Sequence, residues 1–184
     1  MNLKDDYSFY YYIQQPKGDT TLDSSIADAR RSPEEQAGLE AMFIDIFEHR
    51  FCFNEVIGLR VESFAPDSPR LSFDMRPELV GSYLHNRLHG GVIATALDTV
   101  GGFAVAVAIA EKHANETADQ VIMRFGRFGT IDLRVDYLHQ GIGRSFRASA
   151  KVVRLGGRIA SVQMELKNDA GLLSATGTAA YIIS

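Results

Sequence analysis

The sequence predicts an α+β fold, an antiparallel β-sheet wrapped around a long central α-helix, with a helical extension on its N-terminal side. Three observations carry this. An apolar run from Leu88 to Ala110 is too long for one strand and is rich in alanine and glycine. Two short strand-like segments precede it. Four more follow it, separated by turns built on glycine, Asn and Asp.

Taken in order, Met1 to Arg31 reads as an extension without a domain of its own. Its aromatic cluster, Tyr7, Phe9, Tyr10, Tyr11 and Tyr12, precedes polar residues around Pro16 and Gly18. A tail packing these rings on its own domain or on a neighbouring subunit is expected, with a lid over a pocket as the alternative. Residues 32–184 then form a single domain. Ser32-Pro33-Glu34-Glu35 is a helix start, with Ser32 as cap, Pro33 at the first helical position and Glu35 completing a capping box. Leu39, Met42, Phe43, Ile46 and Phe47 recur at helical spacing, so an amphipathic helix to about Arg50 is expected. Cys52, between Phe51 and Phe53, is expected in the core. Leu59–Phe64 and Arg70–Met75 read as strands joined through Pro66-Asp67-Ser68-Pro69. Arg76 to Leu88 reads as a loop, and Gln120 to Phe125 as a short helix or an irregular connection. The later strands are Thr130–Tyr137, Arg144–Leu155, Arg158–Asn168 and Leu172–Ile183. One bent sheet of this kind cannot cover the helix and also close both edges, so a shared sheet in a dimer is expected.

The central run admits three readings. A membrane span fits its length, since Val92 to Ala110 is close to the roughly 20 residues a bilayer needs. Against this, Asp98 near the middle would cost about 2.5–3.5 kcal/mol on insertion scales. A strand is excluded by length, which leaves a helix buried on nearly all sides. Its spacing places Ile93, Leu97, Val100, Ala104 and Val107 on one apolar stripe. Gly91, Thr95, Asp98, Gly102 and Val105 line another, where small residues let a second body approach. A lone carboxylate in such a helix is costly to ionise, and chemistry is the reason proposed for it. At the start of the run, His89-Gly90-Gly91 is read either as a cap and tight turn or as a site where free N–H groups hold a carbonyl oxygen that turns negative.

The pattern of His-Gly-Gly followed by an acid nine residues after the histidine resembles the PaaI-like branch of hotdog-fold acyl-CoA thioesterases. Val80-Gly81 extends the match, Gly129 to Leu138 resembles that family's third strand, and Val153 to Ala160 its following hairpin. The resemblance runs from about Phe43 to the C-terminus. It implies a hotdog fold and hydrolysis of medium- to long-chain fatty acyl-CoA, with coenzyme A as part of the substrate and no cofactor. It implies Asp98 as general base on water or as nucleophile, and Gly90 and Gly91 N–H groups on the thioester carbonyl with His89 at the same turn. Thr130 matches a position where the family often carries a hydroxyl near the acid. The loop before the histidine often supplies an Asn or Gln there; here Asn86 stands three residues before His89, with His85 and Ser82 as other polar candidates. Arg154 and Arg158 flank Gly156-Gly157, where related enzymes often place CoA contacts; solvated hairpin charges are the alternative. In the family the acid and the His-Gly-Gly turn serving one thioester come from different subunits. Nine residues of helix span about 13 Å, too far for both to touch one carbonyl. A homodimer or dimer of dimers with interfacial sites is therefore expected.

Other classes fit less well. The net charge of −4 gives no footprint for nucleic acid. Cys52 is the sole cysteine and the five histidines lack ligand spacing, so no metal site is expected. The start Met-Asn-Leu-Lys-Asp-Asp lacks the pattern of a signal peptide, and the cytoplasm is the expected compartment. A non-catalytic acyl-CoA sensor would need an effector or DNA-binding module, and Met1–Arg31 shows no helix-turn-helix pattern. A hotdog dehydratase would need a His-Phe-Pro-Gly type segment before the helix, which the chain lacks.

Overall fold

The computed structural model describes residues 30–183. The expectation for the aromatic cluster Tyr7–Tyr12 lies outside them. The first helix, α1 (Pro33–Ile44), opens with Ser32 as cap and Pro33 at its first position, the Ser32 hydroxyl accepting from the Glu35 N–H; the return bond from the Glu35 side chain that a capping box needs is not made among the described residues. It does not run straight to Arg50. Residues Asp45–Arg50 widen into a π-turn, and the Phe51 N–H donates to the Ile46 carbonyl. The buried amide of Asn54 explains the wider turn. Its Nδ2 donates to the Phe47 carbonyl at 2.9 Å, and its Oδ1 accepts from Thr99 at 3.1 Å. One asparagine thus ties the π-turn, the short helix α2 (Cys52–Ile57) and the central helix together.

Cys52 corrects the sequence expectation: it is exposed, as are Phe51 and Phe53. The inner face of α2 is taken by Asn54 and Ile57, three apart, which turns Cys52 and Phe53 outward.

The strands β1 (Arg60–Ser63), β2 (Arg70–Asp74), β5 (Gly129–Tyr137), β6 (Ser145–Leu155), β7 (Ile159–Asn168) and β8 (Leu173–Ile182) form one antiparallel sheet in the order β1-β2-β6-β7-β8-β5. The expected loop 76–88 instead holds a 3-10 turn (Pro77–Leu79) and a small hairpin, β3 (Val80–Ser82) and β4 (Arg87–Leu88). The central helix α3 (Gly90–Lys112) packs across β2, β5, β6, β7 and β8. It is long and apolar enough to cross a bilayer, but 72% of its most apolar window is buried by the rest of the fold. Ile93, Leu97, Val100, Ala104 and Val107 all lie in the core, as their stripe predicts. Phe43 and Phe103 anchor an aromatic cluster with Phe47 and Phe64 that seats α1 on α3.

The C-terminal end of α3 is closed from the chain's own N-terminal side. The Arg31 guanidinium donates to the carbonyls of Ala110 and His113 at 2.7 Å and of Glu116 at 3.0 Å. Ala110 is among the last carbonyls of the helix, which a helix end leaves without partners, and a cation is favoured there. The short helix α4 (Ala118–Met123) follows, with a complete capping box at Thr117 and Gln120.

Candidate active site

Helix α3 presents two polar groups of different kinds. The first is its N-terminal turn. His89 is the cap, and its Nδ1 accepts from the Gly91 N–H at 2.9 Å. A neutral ring that accepts at Nδ1 carries its proton on Nε2. Gly91 therefore spends its donor on the cap. Among the described residues the Gly90 N–H has no hydrogen-bond partner.

Neighbouring segments hold this turn in place. The His89 N–H donates to the Leu79 carbonyl at 2.8 Å, and the Leu88 N–H to the Gly141 carbonyl at 2.9 Å. Gly81 lies so close that a Cβ there would stand 2.4 Å from His89 Cα. The Tyr137 hydroxyl, at the end of β5, donates to the Gly90 carbonyl at 3.0 Å. A cleft of about 450 Å³ opens beside the turn, lined by His89, Gly90, Arg87, Tyr137, His139 and Gln140 among others.

The second group is Asp98, half-buried midway along α3. Its Oδ1 accepts from the Thr130 hydroxyl at 2.9 Å and lies 3.2 Å from the Tyr181 hydroxyl. Its Oδ2 has no hydrogen-bond partner among the described residues. The stripe on which Asp98 sits divides in two. Gly91, Thr95 and Asp98 keep some exposure, while Gly102 and Val105 are buried. The side open to a second body is thus the N-terminal half of the helix.

Asp98 does not line the cleft at the turn. Within one chain the two groups are separate, as a helix rise of about 13 Å over nine residues requires. Thr130 and Asp98 are brought together by their hydrogen bond. Ser82, His85 and Asn86 lie instead in the β3–β4 hairpin, whose tip includes the strongly exposed Tyr83. Asn86 adopts a left-handed backbone (φ 45°) there, and none of the three bonds to Asp98 or His89. Arg154 and Arg158 are exposed at the β6–β7 turn and make no ion pair among the described residues. Asp132, Arg134 and Asp136 share a face of β5, and Arg134 pairs with Asp136 at 3.1 Å. Sequence reasoning missed Tyr137 and Tyr181. Tyr181 is a buried strand phenol that needs a partner, and that need was the available signal; Tyr137 is exposed and gave no such signal.

Comparison with known proteins places the geometry among relatives. Residues 85–175 match the family model described as thioesterase superfamily. The medium/long-chain acyl-CoA thioesterase YigI of Escherichia coli (strain K12) is 36% identical over 139 residues, covering 76% of this chain and 90% of the relative. YigI of Salmonella typhimurium is 37% identical over the same length. A crystal structure from Shewanella oneidensis, related to the thioesterase superfamily, superposes with a TM-score of 0.77 at 33% identity, over 84% of this chain and all of that one.

Proposed function

Given that the chain belongs to the thioesterase superfamily and is a thioester hydrolase, we propose that it hydrolyses medium- to long-chain fatty acyl-CoA to fatty acid and free CoA. The carrying observation is the state of Asp98. A carboxylate in the middle of an apolar helix has one oxygen engaged by strand hydroxyls and the other without a partner among the described residues. That arrangement suits a group whose free oxygen takes a proton from water or attacks a carbonyl itself. The Gly90 N–H, at a helix start and without a partner among the described residues, suits the other requirement, a donor for the oxygen that becomes negative. The His89 turn shapes the same place. The chain length of the acyl group follows the YigI relatives.

The two groups serve one thioester only if they come from two subunits. β5 supports this reading: among the described residues it pairs with β8 alone, and its other edge could continue a sheet into a second copy. We read the assembly as a homodimer, or a dimer of dimers, with sites at the interface. Arg154 and Arg158 are placed as contacts for the phosphates of CoA, which belongs to the substrate, and no cofactor enters the reaction. The cytoplasm is the compartment we assign.

The test is release of free thiol from saturated acyl-CoAs of increasing length, with wild type and Asp98→Asn side by side. Release from medium and long chains, lost in Asp98→Asn while the assembly persists, is the expected result. Binding of these esters without cleavage would make the protein an acyl-CoA sensor.

A further inference from the structure

We propose that Tyr181 is a positioning residue for Asp98, holding one carboxylate oxygen together with Thr130 so that the other faces the substrate. The inference rests on the reading that Asp98 carries the hydrolysis.

The strand register sets the arrangement. Thr130 on β5 and Tyr181 on β8 are direct partners across the ladder. A bulge follows Thr130 immediately, so the ladder breaks register just after this pair. Both hydroxyls reach the same atom, Asp98 Oδ1, at 2.9 and 3.2 Å. The Tyr181 hydroxyl also lies 2.8 Å from the Asp98 carbonyl oxygen, so it grips the residue by main chain and side chain at once.

The surroundings build a niche for this phenol. Its residue is only 1% exposed. Its ring stacks on Phe128 at 5.4 Å with 13° between planes. The helix yields space at Gly101, where a Cβ would stand 2.2 Å from the phenol oxygen and 2.6 Å from Met164 Sδ. A phenylalanine would fill the same apolar space without burying a hydroxyl that needs a partner. Among the described residues this hydroxyl's acceptors are the main-chain carbonyl and the carboxylate of Asp98. Burial, with the nearby Asp98 charge, pushes the phenol well above its ordinary pKa, so it stays protonated and acts as a donor. Thr130 donates to Oδ1, and the single Tyr181 proton is shared between the Asp98 carbonyl and the same Oδ1, so both hydroxyls hold that side of the carboxylate and leave Oδ2 for the reacting atoms.

The experiment is a double-mutant cycle with steady-state hydrolysis of a long-chain acyl-CoA, using the full chain. Tyr181→Phe is measured in the wild-type and in the Asp98→Asn background, with thermal unfolding of each. We expect Tyr181→Phe to lower kcat about tenfold with KM unchanged. In the Asp98→Asn background it should lower the residual rate no further. An undiminished kcat in Tyr181→Phe overturns the proposal. So does an equal fractional loss in both backgrounds, or loss of folded protein, since the hydroxyl would then serve only the fold. Failure of the underlying reading shows separately, as full activity in Asp98→Asn alone.

Discussion

The turn at His89 and the acid at Asp98 lie nine residues apart on one helix, yet they are made in opposite ways. At the turn the groups proposed to act are backbone N–H groups. Any helix start leaves N–H donors without partners, so the fold need only decide where they point. That decision comes from outside the helix, through the Leu79 and Gly141 carbonyls, the close approach of Gly81 and the Tyr137 hydroxyl. At Asp98 the helix fixes the position, and the difficulty is chemical. A carboxylate among apolar side chains needs donors, and strands β5 and β8 supply them through Thr130 and Tyr181. Backbone donors thus depend on placement, and a mid-helix acid depends on partners.

Substitutions on either side should separate these dependences. The largest effect belongs to the acid itself: Asp98→Asn should lower kcat about a thousandfold, with the oligomer intact by size-exclusion chromatography. Next comes placement of the turn. Gly81→Ala puts a methyl against the His89 backbone, and a displacement near 1 Å should cost about a hundredfold in kcat/KM. Mixing these two impaired variants tests whether the site is shared. With free reassortment half the dimers are mixed and carry one intact site, so activity should recover to about a quarter of wild type. No recovery despite subunit exchange would mean that acid and turn act within one chain. Thr130→Ala removes one donor from Oδ1, and a fall of about tenfold in kcat is expected, with the unfolding temperature little changed. Smallest are Arg154→Ala and Arg158→Ala. Each should raise KM about threefold at low salt, leave kcat alone and lose its effect as ionic strength rises.

Periodicity and turn chemistry made most of the architecture legible. All six strands of the main sheet lie within two residues of their expected ends, and the caps at Ser32 and His89 stand where their residue types belong. Asp98 stood out because a single charge interrupts a long apolar run. What was not legible depended on contacts distant in sequence. The π-turn follows from Asn54 bonding back to Phe47 and across to Thr99. Cys52 looked buried by its neighbours and is exposed, because α2 docks through Asn54 and Ile57. The small hairpin β3–β4 hid in a loop whose strands run to three and two residues, too short for alternation to register.

The sequence by itself determined the class of the fold, the central helix and its lone acid, and the glycine turn that begins it. These are properties of local pattern, since period, cap and charge are written in neighbouring residues. Only the tertiary structure decided which donors meet that acid and which N–H of the turn the His89 cap takes. Thr130 and Tyr181 lie 32 and 83 residues from Asp98. Their meeting is set by strand register, by a bulge and by the space left at Gly101, and none of these is a property of a short stretch of chain.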